Sequence, residues 1–98
     1  MKTLEELWQI VASIPAGRVA SYGDVGKAMH NPVSGVLVGK WMASCPQSVP
    51  WWRVVGKSGE LLIGRRDPKL ALEQRQLLES EGVEFSGTTV SLDAFFLP

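Results

Sequence analysis

One cysteine (Cys45), one histidine (His30) and one tyrosine (Tyr22) occur in 98 residues. A lone cysteine excludes an internal disulfide. Together with a lone histidine it excludes a zinc site of ordinary spacing, so no metal and no cofactor is expected. No apolar run approaches the roughly 20 residues that a membrane-spanning helix needs. The opening Met1-Lys2-Thr3-Leu4-Glu5-Glu6 is too acidic and too quickly amphipathic for a signal peptide. The expected compartment is therefore the cytosol, or the nucleoid if the source is bacterial. There is also no internal repeat, low-complexity tract or linker. With 45% hydrophobic residues, the chain is expected to form one small globular domain over residues 1–98, monomeric and with an adequate core.

Net charge is lacking too, but only in the sum. Residues 18–66 carry Arg18, Lys27, Lys40, Arg53, Lys57, Arg65 and Arg66 against Asp24 and Glu60, a net of +5. Residues 67–98 carry Lys69 and Arg75 against six acids, a net of −4, and residues 1–17 add −1. A basic centre beside an acidic tail makes a positive face, which is the electrostatic footprint of a phosphate-binding protein.

The spacing of apolar residues predicts a mainly α domain. Thr3 with Glu6 reads as a capping box, and Leu4, Leu7, Trp8, Val11 and Ile14 follow helical spacing until Pro15-Ala16-Gly17. Ser21 is placed to cap a second short helix and Ser34 a third, running to about Cys45. Two helices joined by a tight break predict a helix-turn-helix. Arg53-Val54-Val55 and Leu61-Leu62-Ile63, flanking Gly56-Lys57-Ser58-Gly59, read as a β-hairpin or wing. Asp67 and Pro68 start a last helix that Gly82 ends. A winged-helix-like domain is the expected architecture.

Two motifs carry a family resemblance. Ile14-Pro15-Ala16-Gly17-Arg18-Val19-Ala20-Ser21-Tyr22-Gly23-Asp24-Val25 and Pro50-Trp51-Trp52-Arg53-Val54-Val55 resemble segments of the O6-alkylguanine-DNA alkyltransferases. Asn31-Pro32, Val38-Gly39, Gly59, Gln74-Arg75 and Glu81-Gly82-Val83 extend the likeness over nearly all of residues 4–85. In that family the second motif reads Pro-Cys-His-Arg-Val, with cysteine as alkyl acceptor and histidine as its proton relay. Trp51 and Trp52 stand at those positions, and indole offers neither a nucleophile nor a useful proton acceptor. The chain is thus similar to the non-catalytic alkyltransferase-like proteins. That similarity implies binding of O6-alkylguanine in double-stranded DNA without repair, and hand-over to nucleotide excision repair proteins. It also implies a lesion pocket at Trp51, with Tyr22, Trp52, Pro50, Arg65 and Arg66 around it. Glu81 matches the family's relay glutamate, but with no cysteine or histidine to serve it is expected to be a structural hydrogen-bond acceptor. The implied DNA contacts are Ser34, Gly35, Val36, Gly39, Lys40 and Arg53.

The family usually places an arginine in the recognition helix, where this chain has Val36. Gly35 and Gly39, four apart on one helical face, predict a close approach to DNA or to another helix. Cys45 reads as a small hydrophobe remote from the chemistry. Two competing readings are a helix-turn-helix regulator of defined sequence and an interaction module that no longer binds DNA. The first is weakened by the third helix, where no Arg, Asn or Gln lies between Ser34 and Cys45.

Overall fold

The computed structural model describes residues 2–98. Helix α1 (Lys2–Ala12) buries Leu7 and Val11, and Ile14 just beyond it is equally buried. Thr3 lies within the helix, so it does not serve as N-cap. Glu6 reaches elsewhere, accepting the His30 backbone N–H at 2.8 Å and tying α1 to the turn after the second helix. Gly17 takes φ +84°, which turns the chain into β1 (Ala20–Ser21).

Ser21 accepts the Asp24 N–H at 3.0 Å and caps α2 (Tyr22–Lys27). Ser34 does the same for α3 (Gly35–Met42) through Leu37, and α3 ends three residues short of Cys45. The two helices cross closely because glycines stand at the contact. A Cβ at Gly26 would meet the Val33 carbonyl oxygen at 2.2 Å, and one at Gly35 would meet the Gly23 nitrogen at 2.9 Å. Gly35 is therefore explained by helix packing, whereas a Cβ at Gly39 would meet nothing within 4 Å. This α2–α3 pair is the expected helix-turn-helix.

The expected hairpin at residues 53–63 is not formed. Trp51–Arg53 is a 3-10 turn, and β2 is only Val54–Val55, pairing in parallel with β1 in the register Ala20↔Val54. Leu62–Arg65 forms another 3-10 turn. The physical reason is burial. Val54 and Val55 are both 0% exposed, so the segment is buried on both faces, as parallel strands are, and cannot alternate as a half-solvated hairpin does. Val54 enters a core with Leu7, Val11, Ile14, Val25 and Val38. Val55 points the other way, into a second core with Val19, Leu78, Val83, Val90 and Ala94. The antiparallel hairpin lies further on, between β3 (Phe85–Ser86) and β4 (Thr89–Val90).

Helix α4 (Pro68–Ser80) starts as the sequence predicts. Asp67 accepts the Lys69 N–H, and Pro68 fills the first turn where no donor is required. Its end is equally regular, with Gly82 at φ +87° and the Val83 N–H returning to the Leu78 carbonyl. Arg75 joins α4 to the β3–β4 hairpin, lying 4.4 Å from the Phe85 ring centroid and donating to the Gly87 carbonyl. The last segment closes over β1: the Val19 N–H donates to the Ala94 carbonyl at 2.9 Å, and the Phe96 N–H donates to the Val19 carbonyl at 2.8 Å. No helix among the described residues is long and apolar enough to cross a membrane.

Candidate nucleic-acid interface

The two adjacent tryptophans diverge at the 3-10 turn that contains them. Their rings meet edge-on, with centroids 6.0 Å apart and planes at 88°. Trp52 packs against the second core, and its Nε1–H donates to Glu81 Oε2 at 3.0 Å. Arg53 Nε donates to Glu81 Oε1 at 3.0 Å, its Nη2 also pairs with Glu81, and its Nη1 reaches the Ile14 carbonyl at 2.9 Å. The Gly17 N–H adds a bond to Glu81 at 3.2 Å. Burial pushes the Glu81 carboxyl towards its neutral form. The hydrogen bonds from Arg53, Trp52 and Gly17 outweigh that and hold it below the usual carboxylate range.

Four of the expected site residues are engaged within the fold. Trp52 is committed to Glu81 and does not line the pocket. The Arg53 side chain is only 15% exposed and is held by Glu81 and the Ile14 carbonyl, which fits a structural role better than a DNA contact. The Pro50 carbonyl accepts the Arg53 N–H at 3.1 Å, and Pro50 does not line the cavity. Ser34 is likewise a helix cap, not a groove residue. Gln74, 1% exposed, braces the same turn by donating to the Trp52 and Val54 carbonyls at 3.1 and 3.0 Å.

Trp51 faces the opposite way. Its indole lines a cavity of about 270 Å3 with Tyr22, Met42, Ile63 and Arg66. A larger groove of about 650 Å3 runs alongside, and Tyr22, Met42, Ala43, Ile63 and Arg66 belong to the walls of both. One wall of the groove is α3, presenting Val36, Gly39 and Lys40; the other carries Lys57, Arg65 and Arg66. No acidic residue lines it, although Glu60 lies 3.7 Å from Arg65, so the lining is net positive. Val36 is 74% exposed, which puts a short aliphatic tip at the groove. Arg18, counted in the basic centre of the sequence, instead donates to the Ala94 and Phe95 carbonyls.

Arg66 belongs to both spaces, whereas Arg65 lines only the groove and lies 3.7 Å from Glu60 in an exposed pair. Burial raises the Tyr22 phenol above its ordinary range, with Arg66 partly opposing the shift, so the hydroxyl is a neutral donor at physiological pH. Sequence reasoning missed Cys45, Glu73 and Met42 as cavity residues. Helical spacing from Leu70 to Glu73 and Gln74 was the available signal for the α4 contribution. Cys45 is nonetheless as unreactive as its sequence context predicts: burial pushes its thiol up to about 11, leaving almost no thiolate at neutral pH.

A family model described as the DNA binding domain of 6-O-methylguanine DNA methyltransferase matches residues 2–83. The chain belongs to this family. It is 40% identical over 86 residues to the DNA base-flipping protein of Escherichia coli, covering 86% of this chain but 64% of that protein's length. It is 36% identical over 97 residues to alkyltransferase-like protein 1 of Schizosaccharomyces pombe, covering 95% of this chain and 87% of the relative. Among solved structures, the Schizosaccharomyces pombe protein in complex with damaged DNA containing O6-carboxymethylguanine superposes with a TM-score of 0.82 at 26% identity, covering 99% and 96% of the two chains. Mycobacterium tuberculosis OGT in complex with DNA gives 0.67 at 30% identity, covering 83% of this chain and 50% of that one.

Proposed function

We propose that this domain is a non-enzymatic sensor that binds O6-alkylguanine in duplex DNA, holds the flipped base against Trp51, and leaves the lesion for nucleotide excision repair. The observation that carries this reading is the continuity of the Trp51 cavity with the basic groove. Duplex seated in the groove has a neighbouring space of base-sized character, walled by an indole. Taking a base out of the stack costs a few kcal/mol, less for a poorly paired damaged base. Stacking on an aromatic face returns about 1–3 kcal/mol. Tyr22, lining both spaces, is placed to donate its neutral hydroxyl to the backbone of the rotated nucleotide.

Alkyl transfer is not part of this function. Trp51 has no nucleophilic atom for it, Trp52 is spent on Glu81, and the neighbouring Cys45 thiol is held neutral. A sequence-specific regulator is disfavoured because Val36, Gly39 and Lys40 give α3 few groups for reading base edges. The test is binding to one duplex with and without a single O6-methylguanine, followed by intact-protein mass. Preference for the lesion with unchanged mass is expected. Equal binding to both duplexes, or a stoichiometric gain of one methyl group, would refute the proposal.

A further inference from the structure

The inner cavity contains a formal charge that the groove lacks. Glu73 projects from α4 one turn after Leu70, is solvent-exposed, and lines the cavity but not the groove. It takes part in no ion pair among the described residues. The other formal charge among the lining residues is Arg66, which belongs to both spaces. Phosphates in the groove compete for that guanidinium, while DNA has no backbone cation to compete for Glu73. The remaining wall is apolar or neutral, including Trp51, Ile63, Leu70 and the protonated Cys45. Glu73 is thus the charge least compensated once DNA is bound.

We infer that Glu73 sets which adducts the cavity accepts: it favours a flipped guanine whose O6 substituent ends in a hydrogen-bond donor or a positive charge, and disfavours one that ends in a carboxylate. This inference rests on the lesion-binding reading. An ammonium or hydroxyl can donate to the Glu73 oxygens, whereas a carboxylate has no proton to give and is repelled by them. Because Glu73 is exposed, solvent and salt screen the effect, and it amounts to about fivefold rather than several orders of magnitude.

The experiment measures affinities for three duplexes of one sequence carrying O6-(2-aminoethyl)guanine, O6-carboxymethylguanine or guanine. Wild type and Glu73→Gln are compared at fixed salt, with Glu5→Gln as a control far from the cavity in sequence. Removing any acid raises affinity for all DNA, so the readout is the aminoethyl-to-carboxymethyl ratio, in which that general gain cancels. Glu73→Gln is expected to lower the ratio about fivefold and Glu5→Gln to leave it unchanged. If both adducts are still preferred over guanine and Glu73→Gln leaves the ratio as in wild type, the assignment of Glu73 is overturned and the lesion-binding reading stands. If wild type prefers neither adduct over guanine, the lesion-binding reading falls and the inference falls with it.

Discussion

Trp51 and Trp52 are neighbours of identical chemistry in one 3-10 turn, yet one faces a cavity and the other faces an ion pair. The difference comes from their partners. Glu81, fixed at the end of α4, offers a carboxylate that takes the Trp52 N–H together with Arg53 and Gly17. Trp51 has no such partner, and its ring, turned 88° from its neighbour's, lines the space beside Tyr22. One indole lines the cavity and the other belongs to the clamp. A single turn thereby separates a residue that holds the fold from one that lines the cavity.

The clamp should carry the larger stability effect. Glu81→Ala strands the Arg53 guanidinium and the Trp52 N–H in a half-buried site, and should cost about 3 kcal/mol. Chemical denaturation of the variant measures this directly. Lesion preference should survive under conditions where the variant is folded, because Glu81 does not line the cavity. Lost preference in a demonstrably folded variant would mean that clamp and cavity are coupled.

Acid should weaken the clamp. The Glu81 carboxyl sits below its ordinary value in the folded protein, so its contribution to stability is fully present above the ordinary carboxylate range. That contribution is lost as pH falls from there through the lower folded value. Thermal melts should therefore weaken below roughly pH 4.5, the region where an unfolded glutamate takes up its proton. Glu81→Gln should flatten this part of the profile. An equally steep acid transition in Glu81→Gln would place the sensitivity in another carboxylate.

On the groove side the expected effects are smaller. Val36→Arg adds a cation to an exposed position of α3 and should steepen the salt dependence of binding by up to about one counterion. Lys57→Ala on the facing wall should reduce the slope by a similar amount. Salt titrations on one lesion duplex decide both. Unchanged slopes would show that DNA does not occupy this groove.

Much of this division could be read in the sequence, and some could not. Ser21, Ser34, Asp67 and Gly82 mark helix ends by local chemistry, so three of the four helices begin or end where expected. The family motifs also led to Trp51 and Tyr22 as cavity residues. The parallel pairing of Ala20–Ser21 with Val54–Val55 left no local trace, because two-residue strands far apart in the chain have neither a turn signal nor a periodicity. The same limit hid the partners of Trp52 and Arg53. Trp52 reads as pocket-facing, and Arg53 as structural or backbone-contacting without a partner, until Glu81, 28 residues or more away, is placed beside them. Cys45 and Glu73 are far apart in the chain, and only tertiary packing brings them to one cavity.

The most direct test compares Trp51→Ala with Trp52→Phe in the same pair of experiments: lesion preference over the undamaged duplex, and stability to denaturant. Trp51→Ala should lose about 1–3 kcal/mol of lesion preference and remain the more stable of the two variants. Trp52→Phe should keep the preference and lose about 1.5–3 kcal/mol of stability, the worth of a hydrogen bond to a charged group. Full lesion preference in Trp51→Ala, or its loss in a folded Trp52→Phe, would contradict the separation of wall from clamp.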